Sequence, residues 1–158
     1  MISPDLITIL GLLFAVVGFY FEPPFGFVFF GVSFLMDVID GRVARRYKLV
    51  TKFGGVLDSV FDKVVEVLFL AYITVNYPIG GLGVLAAGFS VIISYVKHRS
   101  GLKLKSVFDR AQRMLFLLVA VFLFGDYLIS ILLLFNALCL VAIIELMIKV
   151  KNKFSEVN

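Results

Sequence analysis

The chain has 158 residues, of which 61% are hydrophobic, and it carries 15 lysines and arginines against 11 aspartates and glutamates. Soluble domains are typically about 45–50% apolar, so this composition excludes an ordinary water-soluble core and indicates one domain, residues 1–158, in a lipid bilayer. The pI of about 9.3 is also found in nucleic-acid-binding proteins. In a membrane protein, however, basic residues collect on the cytosolic side, and we expect no nucleic-acid partner.

Apolar stretches suited to crossing a bilayer, which takes about 17–25 residues as a helix, recur along the chain. The second predicted span continues as a more polar helix through Arg46. In chain order the six spans are Leu6–Phe21, Phe25–Met36, Gly55–Asn76, Leu82–Val96, Arg110–Phe124 and Tyr127–Val150. The predicted fold class is therefore all-α, a polytopic membrane protein with six transmembrane helices. Glycines within the spans are interpreted as points of close helix approach: Gly11, Gly18, Gly31 and Gly88.

The basic residues favour one orientation of these spans. They lie between spans two and three, between spans four and five and in the first turn of span five, and at and after the end of span six, with Lys63 inside span three. The loops of the other parity contain none. Because basic loops stay in the cytosol, we expect both termini to be cytosolic in a multi-pass protein of the cell membrane.

Four aspartates form the most informative pattern. Asp37 and Asp40 are three residues apart, and Asp58 and Asp62 are four apart, so each pair shares one helix face. A short basic loop joins the two helices, which favours their being neighbours. We therefore expect the four carboxylates to converge near the cytosolic boundary of the membrane.

Such a cluster needs neutralisation, because ionised groups near hydrocarbon cost several kcal/mol each unless paired. One interpretation is a salt-bridge network with Arg42, Arg45 and Lys63. The other is a divalent metal site, since carboxylate oxygens suit Mg²⁺, Mn²⁺ or Ca²⁺. Metal beside basic residues is typical of phosphoryl chemistry, and a spare carboxylate can accept the proton of an attacking hydroxyl.

The segment from Asp37 to Asp62 resembles the signature of the CDP-alcohol phosphotransferase family, D-x2-D-G-x2-A-R-x8-G-x3-D-x3-D. It matches that pattern at every fixed residue and every spacing. The resemblance implies a Mg²⁺- or Mn²⁺-dependent membrane transferase with two ions per site. It also implies a homodimer whose active site faces the cytoplasm.

The resemblance implies roles for individual residues. Asp62 would be the general base as well as a ligand. The implied metal ligands are Asp37, Asp40, Asp58 and Asp62, and the implied contacts to the CDP-alcohol donor are Asp5, Thr8, Gly41, Ala44, Arg45, Thr51 and Gly54. For Asp5, a helix N-cap is an equal alternative.

The implied reaction moves a phosphatidyl or archaetidyl group from a CDP-linked lipid to a polar hydroxyl and releases CMP. Ser94–Arg99 and Phe108–Arg113 resemble segments of members that use inositol 1-phosphate, with Lys97, Arg99, Arg110 and Arg113 as candidate anchors for the acceptor's phosphate. Glycerol 3-phosphate would need such an anchor too. For Lys103 and Lys105, a purely topological role is the alternative. A membrane transporter with an acidic ion site and an inactive scaffold are the alternatives from other classes.

Overall fold

The computed structural model describes residues 3–101, 106 and 108–155. These residues form six α-helices, and a short 3₁₀ helix, Gly125–Tyr127, precedes the last of them. The helices are α1 (Pro4–Phe19), α2 (Phe25–Arg46), α3 (Lys52–Asn76), α4 (Leu82–Ser100), α5 (Arg110–Leu123) and α6 (Leu128–Ser155). The all-α fold class is confirmed for the described part of the chain. The chain divides into two compact units, Met1–Asn76 and Tyr77–Asn158.

Helix α1 begins with a side-chain cap. Ser3 is the N-cap residue, and its hydroxyl accepts a hydrogen bond from the backbone N–H of Leu6 at 3.3 Å. Pro4 follows at the first helical position, where its missing N–H costs nothing. The alternative of an N-cap role for Asp5 is therefore wrong. Asp5 lies in the first turn, where a negative charge is favourable.

Small residues let α1 approach α2 closely in the first unit. A Cβ atom added at Gly18 would lie 2.6 Å from the Cβ of Phe29, and one added at Gly11 would lie 3.4 Å from the Cβ of Met36. The packing interpretation of these two glycines is confirmed. It is wrong for Gly88 within the described residues, because a Cβ added there meets nothing within 4 Å.

An aromatic core joins α2 to α3 in the same unit. The rings of Phe30 and Phe69 lie 5.1 Å apart, and those of Phe30 and Tyr72 lie 5.3 Å apart. The hydroxyl of buried Tyr72 donates to the carbonyl of Phe21 at 2.9 Å, as a buried phenol requires. This core packs α2 against α3, about two helical turns from the nearest of the four aspartates on each helix.

The second unit is built on packing of α4 against α6. Buried Asn136 of α6 donates from Nδ2 to the carbonyl of Leu82 at 3.1 Å, an interhelical hydrogen bond of the kind that joins helices in apolar surroundings. Helix α4 ends at Gly101, which has a φ of +64° and forms a left-handed C-cap.

Among the described helices, one is both long and apolar enough to cross a membrane; it covers Gly125–Ser155, and an 18-residue window within it has a mean hydropathy of 2.7. Helix α1 is apolar but has only 16 residues. Helices α2 and α3 carry the aspartates and several basic residues, and α5 is short at 14 residues.

Candidate active site

Three of the four predicted metal ligands lie together. Asp37, Asp40 and Asp58 each offer a carboxylate oxygen, and these oxygens lie within 4.8 Å of one another. Asp40 is buried, whereas Asp37 and Asp58 are half-buried. Helix α2 supplies two of the carboxylates at one face and α3 supplies the third, as their spacing predicts.

Asp62 lies one helical turn beyond Asp58 on α3 and is half-buried. It is not part of the group of three that lies within 4.8 Å. Its roles as fourth ligand and as general base stay predictions. One further turn along, Glu66 is fully buried and accepts a hydrogen bond from Lys63. Lys63 and Glu66 form a salt bridge, with Nζ and Oε2 2.5 Å apart.

A cavity of about 310 Å³ opens beside the acidic cluster within the first unit. All seven residues predicted to contact the donor line this cavity. Two of the aspartates predicted to bind metal, Asp40 and Asp58, line it as well. The lining comprises Pro4, Asp5, Thr8, Asp40, Gly41, Ala44, Arg45, Leu49, Val50, Thr51, Gly54, Gly55 and Asp58. The hydrophobic members Leu49 and Val50, in the loop after α2, were not predicted from the sequence.

Two glycines of the motif have side chains of other cavity residues directly against them. A Cβ added at Gly41 would lie 3.3 Å from Nη1 of Arg45, and one added at Gly54 would lie 2.9 Å from both Asp5 Oδ1 and Thr51 Oγ1. Thr51 also accepts a hydrogen bond from the backbone N–H of Gly54 at 2.9 Å. Glycine at both positions keeps the cavity wall flat.

Thr8 connects α1 to the acidic cluster. Its hydroxyl donates to Oδ2 of Asp40, and the two oxygens lie 2.6 Å apart. The residues are 32 positions apart in the chain, so no local pattern points to this contact. The sequence analysis predicted that Thr8 contacts the donor. It did not predict the hydrogen bond from Thr8 to Asp40, one of the aspartates of the acidic cluster.

The predicted acceptor anchors lie in the second unit in different environments. Lys97 forms an ion pair with Asp109, and Arg99 is exposed. Arg110 is half-buried, and Arg113 is only 1% exposed. Lys103 and Lys105 lie outside the described residues. A capping box formed by Asp109 and Gln112 begins α5.

The acidic group fits a divalent cation. Oxygens bound to one Mg²⁺ lie about 2.1 Å from it, and the three carboxylate oxygens, which lie within 4.8 Å of one another, reach such distances from a common ion after small side-chain movements. All donor atoms are hard oxygens, which suit Mg²⁺ and Mn²⁺. Asp37, Asp40 and Asp58 are thus the residues that would hold the ion.

Comparison with known proteins agrees with this site. Residues 1–148 match the family model described as CDP-alcohol phosphatidyltransferase. The chain is 35% identical over 98 residues to an archaetidylinositol phosphate synthase of Methanothermobacter thermautotrophicus, covering 59% of this chain and 50% of that protein. It is 31% identical over 102 residues to a bifunctional IPC transferase and DIPP synthase of Archaeoglobus fulgidus, covering 62% of this chain and 21% of that one.

The fold matches that of a solved structure. The phosphatidylinositol phosphate synthase PgsA1 of Mycobacterium tuberculosis, in complex with manganese and citrate, superposes with a TM-score of 0.81 at 24% identity, covering 94% of this chain and 82% of that one. The same protein with CDP-DAG bound gives 0.80. The chain belongs to the CDP-alcohol phosphatidyltransferase family, as the resemblance of its aspartate motif implied. It spans between a fifth and a half of the two curated relatives described above.

Proposed function

We propose that this protein transfers a phosphatidyl or archaetidyl group from a CDP-linked lipid to the hydroxyl of a polar acceptor and releases CMP. The observation that carries the proposal is the cavity that joins all seven predicted donor contacts to Asp40 and Asp58. Membership of the family supports the reaction class. The names of the relatives, which include synthases of inositol-containing phospholipids, support inositol 1-phosphate as the acceptor.

Different residues of the cavity are proposed to bind different parts of the donor. Gly41, Ala44 and Gly54 leave the cavity wall free of bulk beside the nucleotide, and Arg45, whose guanidinium lies over Gly41, pairs with the diphosphate. Asp37, Asp40, Asp58 and Asp62 are proposed to hold two Mg²⁺ or Mn²⁺ ions. When bound, the ions neutralise negative charge on the phosphate oxygens.

The proposed reaction is a direct displacement. The acceptor hydroxyl oxygen forms a bond to the β-phosphorus, and the bond from that phosphorus to the oxygen shared with the α-phosphate breaks. CMP leaves with that oxygen, and the hydroxyl proton passes to the carboxylate of Asp62. Half-buried Asp62 lies one turn from Asp58, which keeps it near the site where the hydroxyl attacks.

The acceptor's phosphate is proposed to bind basic residues of the second unit. Arg110 is the first candidate because it is half-buried and begins α5, and arginine binds phosphate with two parallel hydrogen bonds. Arg99 and Lys97 are the next candidates, and Lys97 would exchange its ion pair with Asp109 for one with the phosphate. Arg113 was predicted with them, but its side chain is buried, with an exposed fraction of 1%.

The whole chain, residues 1–158, is proposed to act as one domain of six transmembrane helices with cytosolic termini and a cytoplasmic active site. Each of the six helices exposes large apolar side chains, such as Leu13, Val28, Val75, Val84 and Leu133. Soluble monomers rarely expose contiguous apolar patches larger than a few hundred Å². Two copies are proposed to form the homodimer that the family resemblance implies.

The test is an acceptor screen scored by CMP release. Purified protein in detergent receives Mg²⁺ or Mn²⁺ and either CDP-diacylglycerol or CDP-archaeol, with inositol 1-phosphate, glycerol 3-phosphate or free inositol as acceptor. We expect CMP release that needs both the divalent ion and inositol 1-phosphate. Release with glycerol 3-phosphate alone would reassign the acceptor. No release with any polar acceptor would remove the transferase proposal and favour the transporter alternative.

A further inference from the structure

We propose that Thr8 is a positioning residue of the metal site: its hydroxyl orients the carboxylate of Asp40 and thereby sets the protein's affinity for the divalent ion. This role goes beyond donor contact, and it rests on the proposed function only in that the same aspartates are used.

The contact between the two side chains has the geometry of a charge-assisted hydrogen bond. The distance from Thr8 Oγ1 to Asp40 Oδ2 is 2.6 Å, within the range of about 2.5–2.7 Å for a hydroxyl that donates to a carboxylate. The same hydroxyl lies 3.1 Å from the carbonyl of Pro4. A threonine hydroxyl has one hydrogen. The shorter distance and the charged acceptor assign that hydrogen to Asp40.

The backbone around Thr8 holds the hydroxyl in place. Thr8 and Gly11 share one face of α1, and Gly11 lies against Met36 and Ser33 of α2. Because the helices touch there, the hydroxyl reaches Asp40 one turn beyond Met36. Thr8 is half-buried and Asp40 is only 4% exposed, so water competes weakly for the carboxylate.

Orientation of a ligand affects how tightly a metal binds. A hydrogen bond to one oxygen fixes the plane of the carboxylate and so the direction of both oxygens toward the ion. Loss of such a supporting contact typically weakens metal affinity by about 10–100-fold. Of the three clustered aspartates, Asp40 is the most buried. If its carboxylate rotated away from Thr8, few water molecules would be available to replace the lost hydrogen bond.

The experiment measures binding of Mn²⁺ alone, without any CDP-linked lipid, to the full chain in detergent. Free Mn²⁺ is followed by electron paramagnetic resonance. Thr8→Val, which keeps the side-chain shape and removes the hydroxyl, should raise the Kd about tenfold or more. Thr8→Ser, which keeps the hydroxyl, should restore the wild-type Kd. If the Val variant does not fold, Thr8→Ala in the same titration gives the same expected loss.

A matched control separates this role from donor contact. Thr51 lines the same cavity, but its hydroxyl accepts from the N–H of Gly54. Thr51→Val should leave the Kd for Mn²⁺ unchanged. The Mn²⁺ concentration that gives half-maximal CMP release should rise for Thr8→Val, with kcat recovering when Mn²⁺ saturates.

The outcomes for Thr8 and for the transferase are distinguishable. An unchanged Kd for Mn²⁺ in Thr8→Val and Thr8→Ala, with weaker binding of the CDP-alcohol, would overturn the positioning role and leave the transferase standing. A raised Kd restored by Thr8→Ser supports the positioning role, even if the screen finds no CMP release and the transferase proposal fails.

Discussion

Arg113 donates a hydrogen bond from Nε to the hydroxyl of Ser90, and the distance between the two atoms is 3.1 Å. Its Nη1 also donates to the carbonyl of Phe108 at 2.9 Å. Both Arg113 and Ser90 are buried, with exposed fractions of 1% and 0%. These contacts tie α4 to the segment that precedes α5. They give Arg113 a structural role.

Replacement of Arg113 by methionine should lower stability. The change leaves the Ser90 hydroxyl and the Phe108 carbonyl without their guanidinium donors, and each buried group left unsatisfied costs about 1–3 kcal/mol. The measurement is the midpoint of thermal unfolding of the detergent-solubilised protein. Normal stability with a raised KM for the acceptor would contradict this and return Arg113 to the predicted set of phosphate anchors.

Replacement of Arg110 by alanine should act on the acceptor instead. The KM for inositol 1-phosphate should rise about tenfold or more, because hydrogen bonds to a charged group contribute roughly 1.5–3 kcal/mol. Steady-state kinetics at saturating CDP-lipid measure it, and the KM for the donor serves as the internal control. An acceptor KM equal to that of the wild type would exclude Arg110 as the anchor.

Asp62→Asn should remove turnover and spare donor binding. Loss of a general base typically costs about 10²–10⁴-fold in rate, while the amide keeps the shape of the side chain. The kcat for CMP release and the Kd for the CDP-alcohol are measured on the same preparation. Since Asp62 lies outside the group of three aspartates, we expect Asp58→Asn to weaken Mn²⁺ binding more than Asp62→Asn does. Unaltered turnover in the Asp62 variant would refute the base assignment.

Gly54→Ala should weaken donor binding although it favours the helix. The new Cβ would lie 2.9 Å from Asp5 Oδ1 and Thr51 Oγ1, so both side chains must move within the cavity. Alanine nevertheless favours a helix over glycine, by less here than the roughly 0.8–1 kcal/mol of a helix interior because Gly54 lies in the first turn of α3. The Kd for the CDP-alcohol reports the first effect and the unfolding midpoint the second.

Gly88→Ala in α4 is the matched control, because a Cβ there meets nothing within 4 Å. It should gain the full helix propensity of an interior position and leave donor affinity unchanged. Equal donor affinity in both glycine variants would show that the close approach at Gly54 has no effect on the cavity.

Asp109→Asn should release Lys97 and keep the cap of α5. Asparagine is as good an N-cap as aspartate, so the capping box with Gln112 survives while the ion pair with Lys97 does not. If Lys97 anchors the acceptor, the KM for inositol 1-phosphate should fall. Asp109→Ala, which also removes the cap, should lower the unfolding midpoint. A KM unchanged in both variants would restrict Lys97 to a structural role.

Local spacing was sufficient to predict that three of the four aspartates lie together. The intervals between Asp37, Asp40 and Asp58 fix which helix face each residue occupies, and a short loop makes α2 and α3 neighbours. The residues of the cavity were predicted from the family resemblance, and the cavity also depends on α1, because a Cβ added at Gly54 of α3 would meet Asp5 of α1.

The remaining features depend on contacts between distant segments. A positively charged loop predicts basic residues near phosphate, but the burial of Arg113 follows from Ser90, which lies 23 positions earlier in another helix. The contact of Thr8 with Asp40 likewise requires the packing of α1 on α2. Asp62 lies outside the group of three carboxylates, although its spacing from Asp58 puts both on one helix face.

All thirteen residues that line the donor cavity fall between positions 4 and 58, well before the boundary of the first unit at Asn76. The proposed donor contacts are thus encoded in one uninterrupted third of the polypeptide, separate in the gene from the arginines proposed to select the acceptor. Recombination downstream of Asn76 could therefore change which acceptor the protein uses and leave the residues proposed to bind the nucleotide unchanged.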